Sequence, residues 1–246
     1  ELKGLKLSAV RSVISKSCYE AKPYKAVMWY LFDLLFFVAG FYLIFSNGSS
    51  VWLKLLGGLV SGCATAMMFV WAHDAAHGTL FKGDKVPEIM GTLFMLPALS
   101  IYKLWIYGHN KVHHGFTSFT PVDWVWRPLT PKEYQALSRF QRILYRIERN
   151  MFSSAFHYFR KVWWQAMLRY NPGKDKKERR GYFLGKLYVL AYFIGMSVIS
   201  FCFAGGLWGV VCAVVLPFVV FNYFISIIVY LHHTHPDLPF FDIKKD

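Results

Sequence analysis

The chain has 246 residues, 55% hydrophobic and 19% aromatic, with a mean hydropathy of +0.32 and a formal charge of +14. So apolar a composition excludes an ordinary soluble domain, and one membrane domain is expected over 1–246. The basic excess does not signal nucleic acid, because Lys and Arg are interleaved with membrane-length apolar runs, which suits an anionic lipid surface.

Four stretches are apolar over the roughly 20 helical residues that a bilayer requires: 27–45, 51–71, 183–203 and 207–231. The linkers 46–50 (Ser-Asn-Gly-Ser-Ser) and 204–206 (Ala-Gly-Gly) are short and carry no Lys or Arg, so the spans pair as two helical hairpins. Of the 28 basic residues, 6 precede the first span, 18 lie between 72 and 180, and 2 are in the tail. By the positive-inside rule, the N-terminus, the 72–180 segment and the C-terminus are cytoplasmic. The expected fold is therefore all-α and integral to the membrane, with four transmembrane helices and a cytoplasmic or interfacial helical cap over 72–180. No secretory leader is expected, since the first apolar run is too long and comes after a basic lead.

Between the spans, 89–107 is apolar but is interrupted by Pro97 and carries Lys103 near its end. It is expected to be re-entrant or interfacial. From Leu137 to Tyr170 the pattern is amphipathic, with Ile143, Leu144, Ile147 and Met151 at helical spacing beside Arg139, Arg142, Arg146 and Arg149. That predicts a helix lying in the headgroup layer. The charged stretch Lys174 to Arg180 is expected to be a loop. Cys18, Cys63, Cys202 and Cys212 form no CxxC pair and read as reduced packing residues. Asp33, two turns into the first span, receives no role.

Eight of the nine histidines fall into three groups: His73 and His77; His109, His113 and His114; His232, His233 and His235. The pairs His73/His77 and His109/His113 are spaced i, i+4, so on a helix each presents two imidazoles on one face, as a metal requires. His73 comes just after the second span and His232 just after the fourth, so all three groups reach one membrane face if 89–107 does not cross. More than four imidazoles exceed one tetrahedral zinc site, and two metals are the simpler reading. Bis-imidazole haem ligation is disfavoured, because the apolar runs contain no His. The ninth, His157, is expected to be a hydrogen-bonded surface residue.

The string His73-Asp74-Ala75-Ala76-His77-Gly78 resembles the first histidine box of membrane fatty acid desaturases. Gly108-His109-Asn110-Lys111-Val112-His113-His114-Gly115-Phe116-Thr117 resembles their second histidine box. The segment Asp123-Trp124-Val125-Trp126-Arg127-Pro128-Leu129 is similar to the stretch just after that box in the omega-6 (delta-12) acyl-lipid branch, bacterial members above all. Tyr230-Leu231-His232-His233-Thr234-His235-Pro236 resembles that branch's Tyr-Leu-Gln-His-Thr-His-Pro string, with His232 in place of the Gln.

The resemblance implies a cytoplasmic cap over a non-haem di-iron centre, an acyl chain in a tunnel beneath it, and dioxygen-dependent desaturation. Two electrons would come from ferredoxin or a small haem cytochrome, expected as a separate protein. The implied ligands are His73, His77, His109, His113 and His114, then His233 with His235 next. Asp74 and Asp123 would orient ligand rings, and the role of His232 is open. The family has a further HxxHH box after the last span, which these 246 residues lack, and the chain starts at Glu1 rather than Met. The expectation is a piece of a longer product with an incomplete site and little activity alone. Two other classes fit the histidines: a di-iron carotenoid ketolase or hydroxylase, and a zinc-binding membrane hydrolase or receptor.

Overall fold

In a computed structural model, residues 6–20, 22–81, 83, 85–170 and 176–242 are described, and among them the secondary structure is helical with no strand. A short α1 (Leu7–Ser12) precedes α2 (Pro23–Phe45), which Pro23 opens because its missing N–H falls where a helix leaves donors unpaired. After the turn at Gly48, Ser50 caps α3 (Val51–Ala76) by accepting from Leu53 N at 3.3 Å.

α3 is the central helix because one side of it is small. Gly57, Gly58, Ser61, Gly62 and Thr65 are buried, and a Cβ on Gly40 of α2 would sit 2.7 Å from Gly57 O. Backbones approach that closely only where side chains are absent. Gly58 and Gly62 in turn receive Cys212 O and Val220 from α10 (Leu207–His233), whose backbone widens to π geometry over Val211–Val215. α9 (Lys176–Phe203) precedes α10, and the turn between them uses positive φ at Gly205 and Gly206.

α2, α3, Arg179–Phe203 of α9 and α10 are each long and apolar enough to cross a membrane. They extend past the expected bounds mainly at the ends away from the short turns, so His73 lies within α3 and His232 and His233 within α10. Lys54 Nζ donates to Ala204 O at 2.7 Å, which ties the two short turns together at one end of the bundle. The opposite ends of α3 and α10, both bearing histidines, therefore lie side by side.

The 89–107 stretch folds back on itself. α4 (Lys85–Met95) runs in and α5 runs out, first as Tyr102–Ile106 and then as a π turn over Tyr107–His113. Glu88 and Lys103, one on each arm, pair at 2.7 Å, so the segment returns to the level at which it starts. At its tip Leu99 has φ 49°, and its carbonyl accepts from Trp163 Nε1 at 2.8 Å. Pro97 and Leu99 lie round one small cavity with Thr65 and Pro217, near the middle of α3 and α10.

Two expectations need correction. Residues 137–170 are not one helix: Leu137 is extended, Ser138 opens α7 (Arg139–Glu148) with a capping box, and Asn150 caps a 3-10 turn over Met151–Ser153. Asn and Ser side chains satisfy backbone donors outside a helix, which breaks the run despite its periodicity. α8 comes next as Ala155–His157, continuing as Tyr158–Leu168, and packs along α10, with Trp163 against Phe218 and Tyr158 against Phe221. The charged stretch is not all loop either, since Lys176 to Arg180 form the first turns of α9; Lys174 and Asp175 lie outside the described residues. α6 (Pro131–Ala136) leads into α7.

All four cysteines are free; Cys212 is buried, and Cys18 and Cys202 are exposed. Asp33 is buried and accepts from Trp71 Nε1 at 2.6 Å, which links α2 to α3.

Candidate metal centre

The ligand atoms of His73, His77, His109 and His114 lie within 4.8 Å of one another. His73 and His77 are brought together by the α-helical turn that their spacing predicts. The second group behaves differently, because Tyr107–His113 is π-helical and His114 N donates to His109 O at 2.9 Å. In that wider turn i and i+5 share a face, so His109 meets His114, Nε2 to Nε2 at 3.0 Å, and not His113. Gly115 lets the chain leave the turn, since a Cβ there would strike Lys111 O.

His113 points the other way, toward α10, and its Nε2 stands 2.9 Å from Nε2 of His233. Both rings are held from behind. His113 Nδ1 donates to Asp123 at 3.0 Å, and His233 Nδ1 donates to Val229 O at 2.8 Å. A carboxylate and a carbonyl can only accept, so each Nδ1 carries a proton, and in a neutral imidazole Nε2 then keeps its lone pair. Two lone pairs facing each other at that distance repel unless a cation lies beside them.

His73 is arranged likewise, with Nδ1 2.8 Å from Asp74 Oδ1. Burial pushes His109 down to about 2, with the neighbouring histidines adding to the effect; His77 and His114 are lowered by the same causes. Neutral imidazoles with free, converging lone pairs are what a metal ion binds, so the donor set fits one. Asp123 is almost wholly buried and also accepts from Ser118 N and Val125 N, which fixes its carboxylate behind His113.

The remaining histidines separate. His232 lines the cavity beneath the cluster, whereas His235 is exposed, with Nδ1 3.7 Å from Asp237, and stands outside the four-histidine group. His157 is not a surface residue: it is 5% exposed and stacked on Trp126 at a centroid distance of 3.8 Å. The break at 149–154 turns α8 inward along α10 and carries His157 into the interior. Burial, with Arg149, Lys161 and Arg160 nearby, pushes it down to about 3.

Sequence reasoning also missed Trp105, whose ring stacks on His109 at 4.2 Å. Its place four residues before His109 on an apolar helix was the available signal. Nothing in the sequence marked the Val229 carbonyl.

The cavity beneath the histidines measures about 400 Å³ and is walled by apolar side chains such as Phe69, Leu104, Val162, Ile225 and Val229, with His109, His113 and His233 at its head. A larger hollow of about 600 Å³ opens beside Glu88, Lys103 and Lys111, but no histidine lines it. Of these two, the histidines line the first.

Four helices long and apolar enough to cross a membrane, with a histidine cluster that could hold a metal ion at the head of an apolar cavity, define a membrane-protein class. The model of the family described as fatty acid desaturase matches residues 49–244, and the chain belongs to that family. It is similar to an sn-1 oleoyl-lipid 12-desaturase of a Picosynechococcus species, at 27% identity over 96% of this chain and 66% of the relative. It is also similar to a Synechocystis sn-1 acyl-lipid omega-3 desaturase (ferredoxin), at 24% identity over 96% and 65%, and to the chloroplastic omega-6 fatty acid desaturase of Arabidopsis thaliana, at 26% over 95% and 50%. The chain thus spans about half to two thirds of the length of these relatives.

Proposed function

We propose that the chain holds the metal-binding and acyl-binding parts of an oxygen-dependent fatty acyl desaturase. The observation that carries this is the convergence of His73, His77, His109 and His114 with the His113–His233 pair at the head of an apolar cavity. The first four would hold one non-haem iron, and His113 and His233 would contribute to a second, with His232 close by in the cavity wall. Bound iron would supply the oxidising chemistry, in which CH2–CH2, O2, two electrons and two protons give CH=CH and two waters.

The protein's own residues do the positioning. Asp74, Asp123 and the Val229 carbonyl hold ring N–H groups, so that Nε2 of His73, His113 and His233 is left to bind. Phe69, Leu104, Ile225 and their neighbours bind the chain by apolar contact and keep water from the reacting carbons. The substrate class is an acyl lipid, and the relatives' names make an oleoyl glycerolipid the first to try. A ferredoxin is the electron donor suggested by the name of the Synechocystis relative, with a small haem cytochrome as the other candidate. The histidine face would be cytoplasmic, since the basic residues gather there.

Elemental analysis of the purified chain and of a longer version that reaches the relatives' full length, with product analysis of the longer version by mass spectrometry after supplying oleoyl lipid, donor and oxygen, tests this. Iron approaching two per longer chain, fewer on these 246 residues, and a new C=C support it. A new C–O bond would move the assignment to a hydroxylase or ketolase. One zinc without iron would overturn it in favour of a hydrolase or receptor.

A further inference from the structure

α7 presents an apolar stripe that none of the described residues covers. Phe140, Ile143 and Ile147, at i, i+3 and i+7, are 67%, 56% and 40% exposed, and Phe152 beyond them is 83% exposed. Arg139, Arg142 and Arg146 run alongside, and among the described residues none is in an ion pair; Arg142 and Arg146 donate to Gln135 O and Tyr134 Oη, leaving their charge uncompensated.

The inner side of the same segment fixes its depth. Arg149 donates to Trp126 O at 2.9 Å, and the Trp126 ring meets Tyr230 edge-on at 5.0 Å. Five residues later, Ser154 O accepts from Ser226 Oγ at 2.6 Å. Tyr230 and Ser226 lie one turn apart near the histidine-bearing end of the apolar helix α10, about 6 Å along its axis. Residues 149–154 thus descend beside the last turns of a span, where an outward apolar side chain meets lipid and a neighbouring guanidinium meets headgroups.

We propose that the outer face of α7, with Met151 and Phe152, is a docking surface for the headgroup layer of an anionic bilayer. The occupant is lipid rather than a protein because the stripe's C-terminal end, at 149–154, is level with the end of a span and the stripe is edged by arginines outside any ion pair among the described residues. Because Arg149 at its end grips the Trp126 backbone three residues from Asp123, docking braces the loop that orients His113. The proposal rests on α10 being a span and stands whether or not the chain desaturates.

The test uses the full chain in nanodiscs of phosphatidylcholine and phosphatidylglycerol, with a photoreactive benzoylphenylalanine placed singly at Ile143, at Phe152 or, as a control, at Lys132 on α6. Lipid adducts at 143 and 152 at least about five-fold above those at 132, enriched in phosphatidylglycerol, are expected. The triple variant R139Q/R142Q/R146Q should lose the enrichment and keep the adducts, while R139K/R142K/R146K keeps both. Adducts at 143 and 152 no higher than at 132 would overturn the proposal, as would crosslinks mainly to protein. Enrichment that survives the glutamine variant would overturn its anionic part.

Discussion

His113 and His233 face each other through Nε2 atoms 2.9 Å apart, though 120 residues separate them in the chain. Each ring is turned there by an acceptor behind it, Asp123 for one and the Val229 carbonyl for the other. The pair is a clasp between α5 and α10, distinct from the four-histidine group.

Asp123→Asn replaces an acceptor-only group with one that can also donate, so the His113 ring loses its imposed tautomer. Metal affinity is expected to fall by about 10- to 100-fold, read by chelator competition, with helix content unchanged by circular dichroism. Unchanged affinity would mean that Asp123 serves only to hold its loop through Ser118 N and Val125 N.

His233→Ala and His235→Ala separate the two histidines of the last group. The first should lower metal content by about one ion per chain, because it removes half of the clasp. The second should leave it unchanged, since His235 is exposed and turned toward Asp237. Equal losses would show that the tail rearranges when metal binds.

His157 is neutral in the fold and held at about 3, while in the unfolded chain it titrates near 6.5. Below 6.5 the unfolded state binds the extra proton, so the contribution of this site to stability falls as pH drops from 6.5 toward 3, by about 1.4 kcal/mol per unit. His157→Phe keeps a ring against Trp126 and removes the titration. Thermal unfolding in detergent at pH 7 and pH 5 should show a smaller loss for the variant than for the parent. Parallel losses would mean that His157 can protonate in place.

Gly40→Ala and Gly195→Ala differ only in what the new methyl meets. Alanine in a helix is ordinarily favoured over glycine by about 0.5–1 kcal/mol, and at Gly195, with nothing within 4 Å, that gain is expected. At Gly40 the methyl strikes Gly57 O, and overpacking should destabilise by about 1–3 kcal/mol. Unfolding temperatures measured together check both signs.

Much of this protein was legible without coordinates because a bilayer imposes a length and a composition on whatever crosses it. The four apolar runs, the grouping of eight histidines and the break that Pro97 puts into the 89–107 stretch are set by local sequence. Where local pattern failed, the backbone had departed from a continuous α-helix. Asn150 and Ser138 capped what periodicity joined, and a π turn paired His109 with His114 where α-helical spacing pairs it with His113.

The sequence by itself determined which residues are the candidates for the chemistry: imidazoles in three groups, each next to an apolar run. Only the tertiary structure decided how they are shared. His113 leaves its own group to join His233, His235 stays outside, and His157 moves from an expected surface position into the cavity wall. Such partners are chosen by helix packing, where glycines on α3 set how closely α10 approaches, and distances of that kind have no signature in any single segment.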